Sequence, residues 1–237
     1  MDLNEILQLF GGSEITDTSS YELWAMKYFH DKSVVENPYL NMTVDIDLTE
    51  ARAVYEQHFK SIENASFQAY IVWNLIRALQ EHCIFNTRRI GGKWYRFSNL
   101  PVFMPIAIGG DFRFKDAILF DCCGLDWAEF CACYRRAIDN EKSELEMLPQ
   151  HVWSLCTFVG NLPNMNFKSF TLHQSATSTG RPFFYFGQRR VENNRLLVPV
   201  SITFDHANSD PFVLEKLMNS VLANMCEGVN VENKLSA

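Results

Sequence analysis

The stretch Arg195–Met225, RLLVPVSITFDHANSDPFVLEKLMNSVLANM, decides how the chain is read. Its first part, Leu196-Leu197-Val198-Pro199-Val200-Ser201-Ile202-Thr203-Phe204, is apolar and β-branched and predicts a buried strand. Its second part carries Phe212, Leu214, Leu217, Met218, Val221, Leu222 and Met225 at helical spacing. Between them lies Asp205-His206-Ala207-Asn208-Ser209-Asp210. A histidine therefore stands where a stiff strand stops, with an aspartate four residues on at the mouth of a helix. Short loops held by rigid elements are common seats for catalytic groups. Each residue also has a plain structural reading. Asp210 followed by Pro211 is a good helix start, with an acceptor at the N-cap and proline in the first turn. Among six histidines, one His-x-x-x-Asp can arise by chance, and a lone histidine at a strand end often serves packing.

Upstream of this stretch, Pro182–Arg190 reads as a strand that Glu192-Asn193-Asn194 turns back into Arg195–Phe204, an antiparallel pair. Ile84–Ile90 and Lys93–Phe97 read as a hairpin closed by Gly91-Gly92. Tyr39–Leu48, Val102–Ile108, Ala117–Phe120 and Val152–Val159 complete the expected strands. Helices are expected over 2–10 (ended by Gly11-Gly12), 21–31 (capped by Ser19-Ser20), 50–60 (capped by Thr49), 67–82 and 127–142. Ser169, between Phe167 and Phe170, is read as a strand residue. The segments 141–146 and 174–180 read as an exposed charged stretch and a polar loop. The first 19 residues read as an N-terminal extension, either an arm on a neighbour or a frayed leader, and 226–237 as a loose tail. No linker or repeat divides the chain, so 1–237 reads as one α+β domain with a mixed or antiparallel sheet.

Composition bounds the function. Apolar residues are 47% of the chain and aromatics 14%, with 19 Phe, enough for a large core. A net charge of −7 disfavours nucleic acid, which needs a concentrated positive surface. Arg88-Arg89 and Arg189-Arg190 read as solvated strand ends, with a cofactor phosphate as the alternative. No run of about 20 apolar residues predicts a membrane span, and the N-terminus lacks a secretory pattern. Seven cysteines without such a pattern predict free thiols in a reducing cytoplasm. No Cys-x-x-Cys or paired histidine spacing predicts a metal; His151 and His173 lack ligand partners at metal spacing.

Three motifs add a more specific reading. Asp205-His206-Ala207-Asn208-Ser209-Asp210-Pro211 is similar to the His-His-Ala-x-x-Asp-Gly stretch of the chloramphenicol acetyltransferase family, in which a buried strand precedes and an amphipathic helix follows. Leu162-Pro163-Asn164-Met165-Asn166-Phe167-Lys168-Ser169-Phe170-Thr171-Leu172 is similar to the family pattern Leu-Pro-Trp-x-Asn-Phe-x-Ser-Phe-x-Leu. Tyr39-Leu40-Asn41-Met42-Thr43-Val44-Asp45-Ile46-Asp47-Leu48 looks like the family's first strand. Along the chain the three motifs stand in the family's order, and the resemblance covers most of it, residues 20–225.

The resemblance implies a two-layer α/β sandwich with helices on one side of the sheet, assembled as a homotrimer with active sites between subunits. It implies acyl transfer, most simply of acetyl, from coenzyme A to a hydroxyl or amine of a small molecule, chloramphenicol-like acceptors and antibiotic resistance included. In that reading His206 is the base, Ser169 assists catalysis, and Asp210 matches the family aspartate. Tyr39, Asn166, Phe167 and Tyr185 fall at acceptor-pocket positions. The sequence departs from the family at several points: Asp205 replaces the first histidine, Pro211 the glycine, Asn164 the tryptophan and Tyr185 a threonine. No arginine precedes Arg52 to pair with Asp210. These departures support a second reading, a family member that binds a ligand or partner without turnover. A third takes the acyl group from a carrier protein.

Overall fold

The computed structural model describes residues 2–109, 113–139, 149–172 and 180–227. Its centre is a seven-stranded sheet in which β2 (Tyr39–Asp47), β10 (Arg195–Asp205), β8 (Phe183–Phe186), β7 (Thr157–Asn161), β5 (Val102–Gly109) and β6 (Arg113–Leu119) lie side by side. The short β9 (Arg190–Glu192) pairs with the start of β10. Pairing is antiparallel at β2–β10, β10–β8 and β5–β6, and parallel at β5–β7 and β7–β8. The sheet is therefore mixed, and the fold is the expected α+β class.

Helices α3 (Thr49–Val54), α4 (Phe67–Glu81), α5 (Trp127–Asp139) and α7 (Pro211–Cys226) cover one face. The alternation of β10 explains why. Val198, Val200, Ile202 and Phe204 are fully buried in the helix-side core, since successive side chains point to opposite faces. On the helices, Tyr70, Ile71, Leu75, Leu214, Leu217 and Val221 supply the facing stripe. The Tyr70 hydroxyl donates to the Met225 carbonyl at 2.6 Å and ties α4 to α7. The other sheet face divides by chemistry. Phe103, Phe158, Phe183 and Tyr185 make an apolar patch on β5, β7 and β8, while β10 places Ser201, Thr203 and Asp205 there, buried and polar.

The N-terminal segment packs on its own chain. In α1 (Leu3–Phe10), Ile6 and Phe10 are buried with Tyr95, Phe97, Leu100 and Leu155. Gly11 ends the helix in the left-handed region at φ 60°, as its lack of Cβ permits. The following β1 (Gly12–Glu14) adds to the hairpin of β3 (Thr87–Ile90) and β4 (Lys93–Phe97). Ser19 caps α2 (Ser20–Tyr28) in a capping box with Glu22.

Several local expectations fail for tertiary reasons. Ile84–Ile90 is not all strand: Cys83–Asn86 is a 3₁₀ turn, where buried Asn86 donates to the Leu79 carbonyl at the end of α4. Val152–Val159 begins as helix α6 (Gln150–Leu155) and becomes strand only at Thr157. Val152 and Leu155, three apart, both face the interior, a spacing that suits a helix turn as well as a short strand. Pro182–Arg190 splits into β8 and β9: the Gly187 amide still donates to the Pro199 carbonyl at 2.8 Å, but the Gln188 amide goes to the Met165 carbonyl at 2.9 Å. Thr49 does not cap α3; Asp47 accepts from its amide and hydroxyl instead. The helix continues as a π turn, Tyr55–Phe59.

Arg88 is no solvated strand end but fully buried. Its guanidinium donates to the carbonyls of Leu155, Phe85 and Thr87, and burial pulls it down to about 9, so it stays charged at neutral pH. Arg190 pairs with Asp45 and Glu192. The charged stretch 141–146, most of the polar loop 174–180, His173 and the tail from 228 lie outside the described residues. All seven cysteines are free. Among the described residues no His, Cys, Asp or Glu cluster could hold a metal, and no helix is long and apolar enough to cross a membrane.

Candidate active site

β10 ends at Asp205, directly opposite Tyr39 of β2. The next amide, that of His206, donates to the Pro38 carbonyl at 2.8 Å, so the ladder carries the histidine to the sheet's end. A tight turn follows. The Ala207 amide donates to Asp205 Oδ1 at 2.8 Å, the Ser209 amide to the Asp205 carbonyl at 3.0 Å. Asn208, buried, donates to Thr87 Oγ1 and to the Gly180 carbonyl, both at 2.9 Å. Every residue of the turn is thus pinned by a hydrogen bond.

His206 itself is half-buried. Its Nδ1 lies 3.0 Å from the Ser209 carbonyl. A carbonyl only accepts, so Nδ1 carries the hydrogen and Nε2 keeps its lone pair. Nε2 has no hydrogen-bond partner among the described residues. Phe29, just past α2, stacks on the imidazole at 4.1 Å with 19° between the planes. The ring is held in one tautomer and one orientation, the state a general base needs.

Asp205, fully buried, does not turn toward His206. Its Oδ2 accepts from His30 Nε2 at 2.9 Å, and the His30 ring meets Trp94 edge-on at 5.4 Å. The sequence reading noted Asp205 as a departure but missed both Phe29 and His30. No spacing links them to a strand end some 175 positions later. Asp210 is the N-cap of α7: its Oδ1 accepts from the Val213 amide at 2.9 Å, with Pro211 opening the helix. No lysine or arginine pairs with Asp210 among the described residues.

Ser169 is exposed and lies in an irregular segment, 162–172, rather than a strand. That segment runs along the open face of the sheet. The Leu162 amide donates to Phe186, Gln188 donates to the Met165 carbonyl, and Ser201 Oγ donates to the Phe170 carbonyl at 2.6 Å. Ser201 precedes His206 by five strand residues, about 16 Å at 3.3 Å each. The segment that carries Ser169 thus meets β10 at Ser201, and no hydrogen bond joins Ser169 to His206 among the described residues. Asn166 is exposed, and Phe167 packs on Phe170. Tyr39 accepts from the Gly180 amide at 3.2 Å.

Tyr185 is buried, stacked on Phe158 and packed on Phe170. Burial pushes its phenol up to about 12, so it is a neutral donor at working pH. Its ring lies over Gly160 of β7, where a Cβ would come within 2.2 Å of it.

Against this geometry stand the likenesses to known proteins. No curated relative matches the chain in sequence. A solved chloramphenicol acetyltransferase is similar over 90% of this chain and 99% of its own, at 18% identity and TM-score 0.75. The dihydrolipoamide acetyltransferase of Azotobacter vinelandii matches over 91% of this chain and 92% of its own, at 14% identity and TM-score 0.61. The cubic core of the pyruvate dehydrogenase multienzyme complex matches over 91% of each, at 14% identity and TM-score 0.58. At such identities these likenesses speak for the fold alone. The sequence model described as chloramphenicol acetyltransferase, however, matches residues 17–222. The chain, its histidine at the end of the buried strand, belongs to the chloramphenicol acetyltransferase family.

Proposed function

We propose that the protein transfers an acyl group, most simply acetyl, from coenzyme A to a hydroxyl or amine of a small molecule, with His206 as general base. The observation that carries this reading is the Nδ1 bond to the Ser209 carbonyl, which leaves Nε2 to take a proton. A neutral alcohol is a poor nucleophile, and a base poised near neutral pH removes its proton as it attacks. The acceptor oxygen bonds to the thioester carbon while its proton passes to Nε2. Negative charge develops on the former carbonyl oxygen. It is met by the Ser169 hydroxyl, a donor of the kind whose loss costs about 3 kcal/mol. Collapse breaks the carbon–sulfur bond, and the thiolate leaves with the proton from the imidazolium.

Because no hydrogen bond joins Ser169 to His206 among the described residues, we assign the serine's role to a neighbouring copy in a homotrimer, with Asn166, Phe167 and Tyr185 lining the acceptor's side. Tyr39 borders the histidine turn and Asp210 acts as the cap that steadies it. The site is that of a cytoplasmic enzyme. Family membership supports chloramphenicol-like acceptors, and with them antibiotic resistance, as the first candidates to test, while Tyr185, bulkier than the family threonine, favours a differently shaped acceptor.

The test is release of free coenzyme A from acetyl-coenzyme A over a panel of hydroxyl and amine acceptors, parent against His206→Ala. Loss of about 10²- to 10⁴-fold is expected. Equal rates in the two proteins remove His206 from the mechanism. The second reading, binding without turnover, is favoured by one observation: Asp210 lacks a cationic partner among the described residues. Coenzyme A binding by the parent with no turnover on any acceptor supports that reading.

A further inference from the structure

Helix α2 is lightly held. Of its nine residues only Ala25 and Met26 are buried, while Tyr21, Leu23, Trp24 and Tyr28 are exposed. Met26 packs with Trp94 and Ala207, a contact that burial favours without fixing an orientation. The two residues that follow the helix, Phe29 and His30, face the two that open the histidine turn, His206 and Asp205. Phe29 lies flat on the imidazole, and beside it His30 Nε2 donates to Asp205 Oδ2 at 2.9 Å. The carboxylate is fully buried and the His30 side chain is 12% exposed, with Trp94 edge-on against its ring. The other hydrogen bonds of residues 20–37 among the described residues stay within residues 18–39. Besides His206, the rings in contact with Phe29 are Trp24 and Tyr28 of its own segment.

A hydrophobic contact lets a ring slide. A hydrogen bond to a buried carboxylate does not, since it weakens steeply with misalignment. Asp205 Oδ1 accepts from the Ala207 amide inside the turn, so one carboxylate joins the segment after α2 to the loop that aims the base. We propose that His30 is a positioning residue for acyl transfer: its bond to Asp205 holds Phe29 flat on the imidazole, and the stack fixes the direction in which Nε2 presents its lone pair. The inference rests on His206 being the base. Nδ1 is tied to the Ser209 carbonyl at one point, about which the ring can still tilt, and Phe29 closes that freedom from the ring's face. His30 touches no reacting atom and acts through its neighbour. The effect on rate is large for a small movement, because a reacting group displaced by about 1 Å can cost 10²-fold.

The test compares His30→Ala, His30→Gln, Phe29→Leu and the double variant His30→Ala/Phe29→Leu, first by NMR of histidine-labelled protein and then by kinetics. The His206 signals are assigned by their loss in His206→Ala. A ring stacked on the imidazole moves its carbon-bound protons upfield, and Phe29→Leu is expected to abolish that shift. His30→Ala is expected to move the His206 signals toward their place in Phe29→Leu. His30→Gln, whose amide donates from about the same point, is expected to keep them near the parent's. In turnover of acetyl-coenzyme A with the acceptor that serves the parent best, His30→Ala is expected to lower kcat about 10- to 100-fold with KM little changed, and His30→Gln to recover most of it. The double variant is expected to be no slower than Phe29→Leu, because residues that act as one unit are not additive. A merely stabilising pair would leave the His206 shift and kcat of folded His30→Ala at the parent's values. That result, a Gln variant no better than Ala, or additive losses overturns the proposal. A parent without turnover on any acceptor removes the acyl-transfer reading instead, and the NMR comparison then decides by itself whether His30 holds the stack.

Discussion

His30 Nε2 donates to Asp205 Oδ2 at 2.9 Å and ties the segment after α2 to the end of β10. The carboxylate is fully buried and has two donors, the Ala207 amide and His30 Nε2. Removing one leaves a desolvated acceptor short of a partner. His30→Ala is therefore expected to lose about 1–3 kcal/mol of stability, read as a lower urea midpoint at unchanged m-value. His30→Gln restores a donor and is expected to recover most of it. A His30→Ala midpoint equal to the parent's would mean that Asp205 finds water instead. At this scale the sequence shows where His206 and Asp210 stand, because both follow directly from strand and helix patterns. It conceals Phe29, His30 and the buried state of Arg88, whose partners are distant in the chain.

At the scale of elements, β10, its turn and α7 act as one unit. The Asp210 cap begins the helix one residue after the carbonyl that orients His206. Losing a side-chain cap costs about 1 kcal/mol, while asparagine caps as well as aspartate. Asp210→Ala is expected to lose stability and turnover together, and Asp210→Asn to keep both. An Asn variant as stable as the parent but inactive would show that the carboxylate's charge is needed, not its capping. The boundaries that sequence misplaced, at 84–86, 150–155 and 187–190, share a cause. Each lies beside a contact made elsewhere in the chain: Asn86 donates to Leu79, Arg88 to Leu155, and the Gln188 amide to Met165.

For the whole molecule, the absence of a hydrogen bond between Ser169 and His206 among the described residues makes assembly testable. If one copy supplies the base and its neighbour the serine, His206→Ala and Ser169→Ala subunits complement each other. Random mixing at equal amounts gives one interface in four with both residues, hence about a quarter of parental activity. Co-expressed, affinity-separated mixtures should show it, and each variant alone should not. Activity no higher than that of either variant would place both residues in one chain's site or outside it. On the sheet face opposite the helices, Phe103, Phe158 and Phe183 are already buried under Trp153, Phe167 and Phe170 of the same chain, while Ser169 is exposed.

By itself, the sequence determined the α+β class, the buried strand that ends in a histidine, the capped helix after it and family membership. These are local or pattern-level properties: alternation, helical period and cap chemistry act between residues a few positions apart. Only the tertiary structure decided which faces meet. It turned Asp205 away toward His30, laid Phe29 on the imidazole and buried Arg88 among carbonyls. Such pairings depend on how distant segments close around one core, and side-chain periodicity along the chain carries no record of that distance.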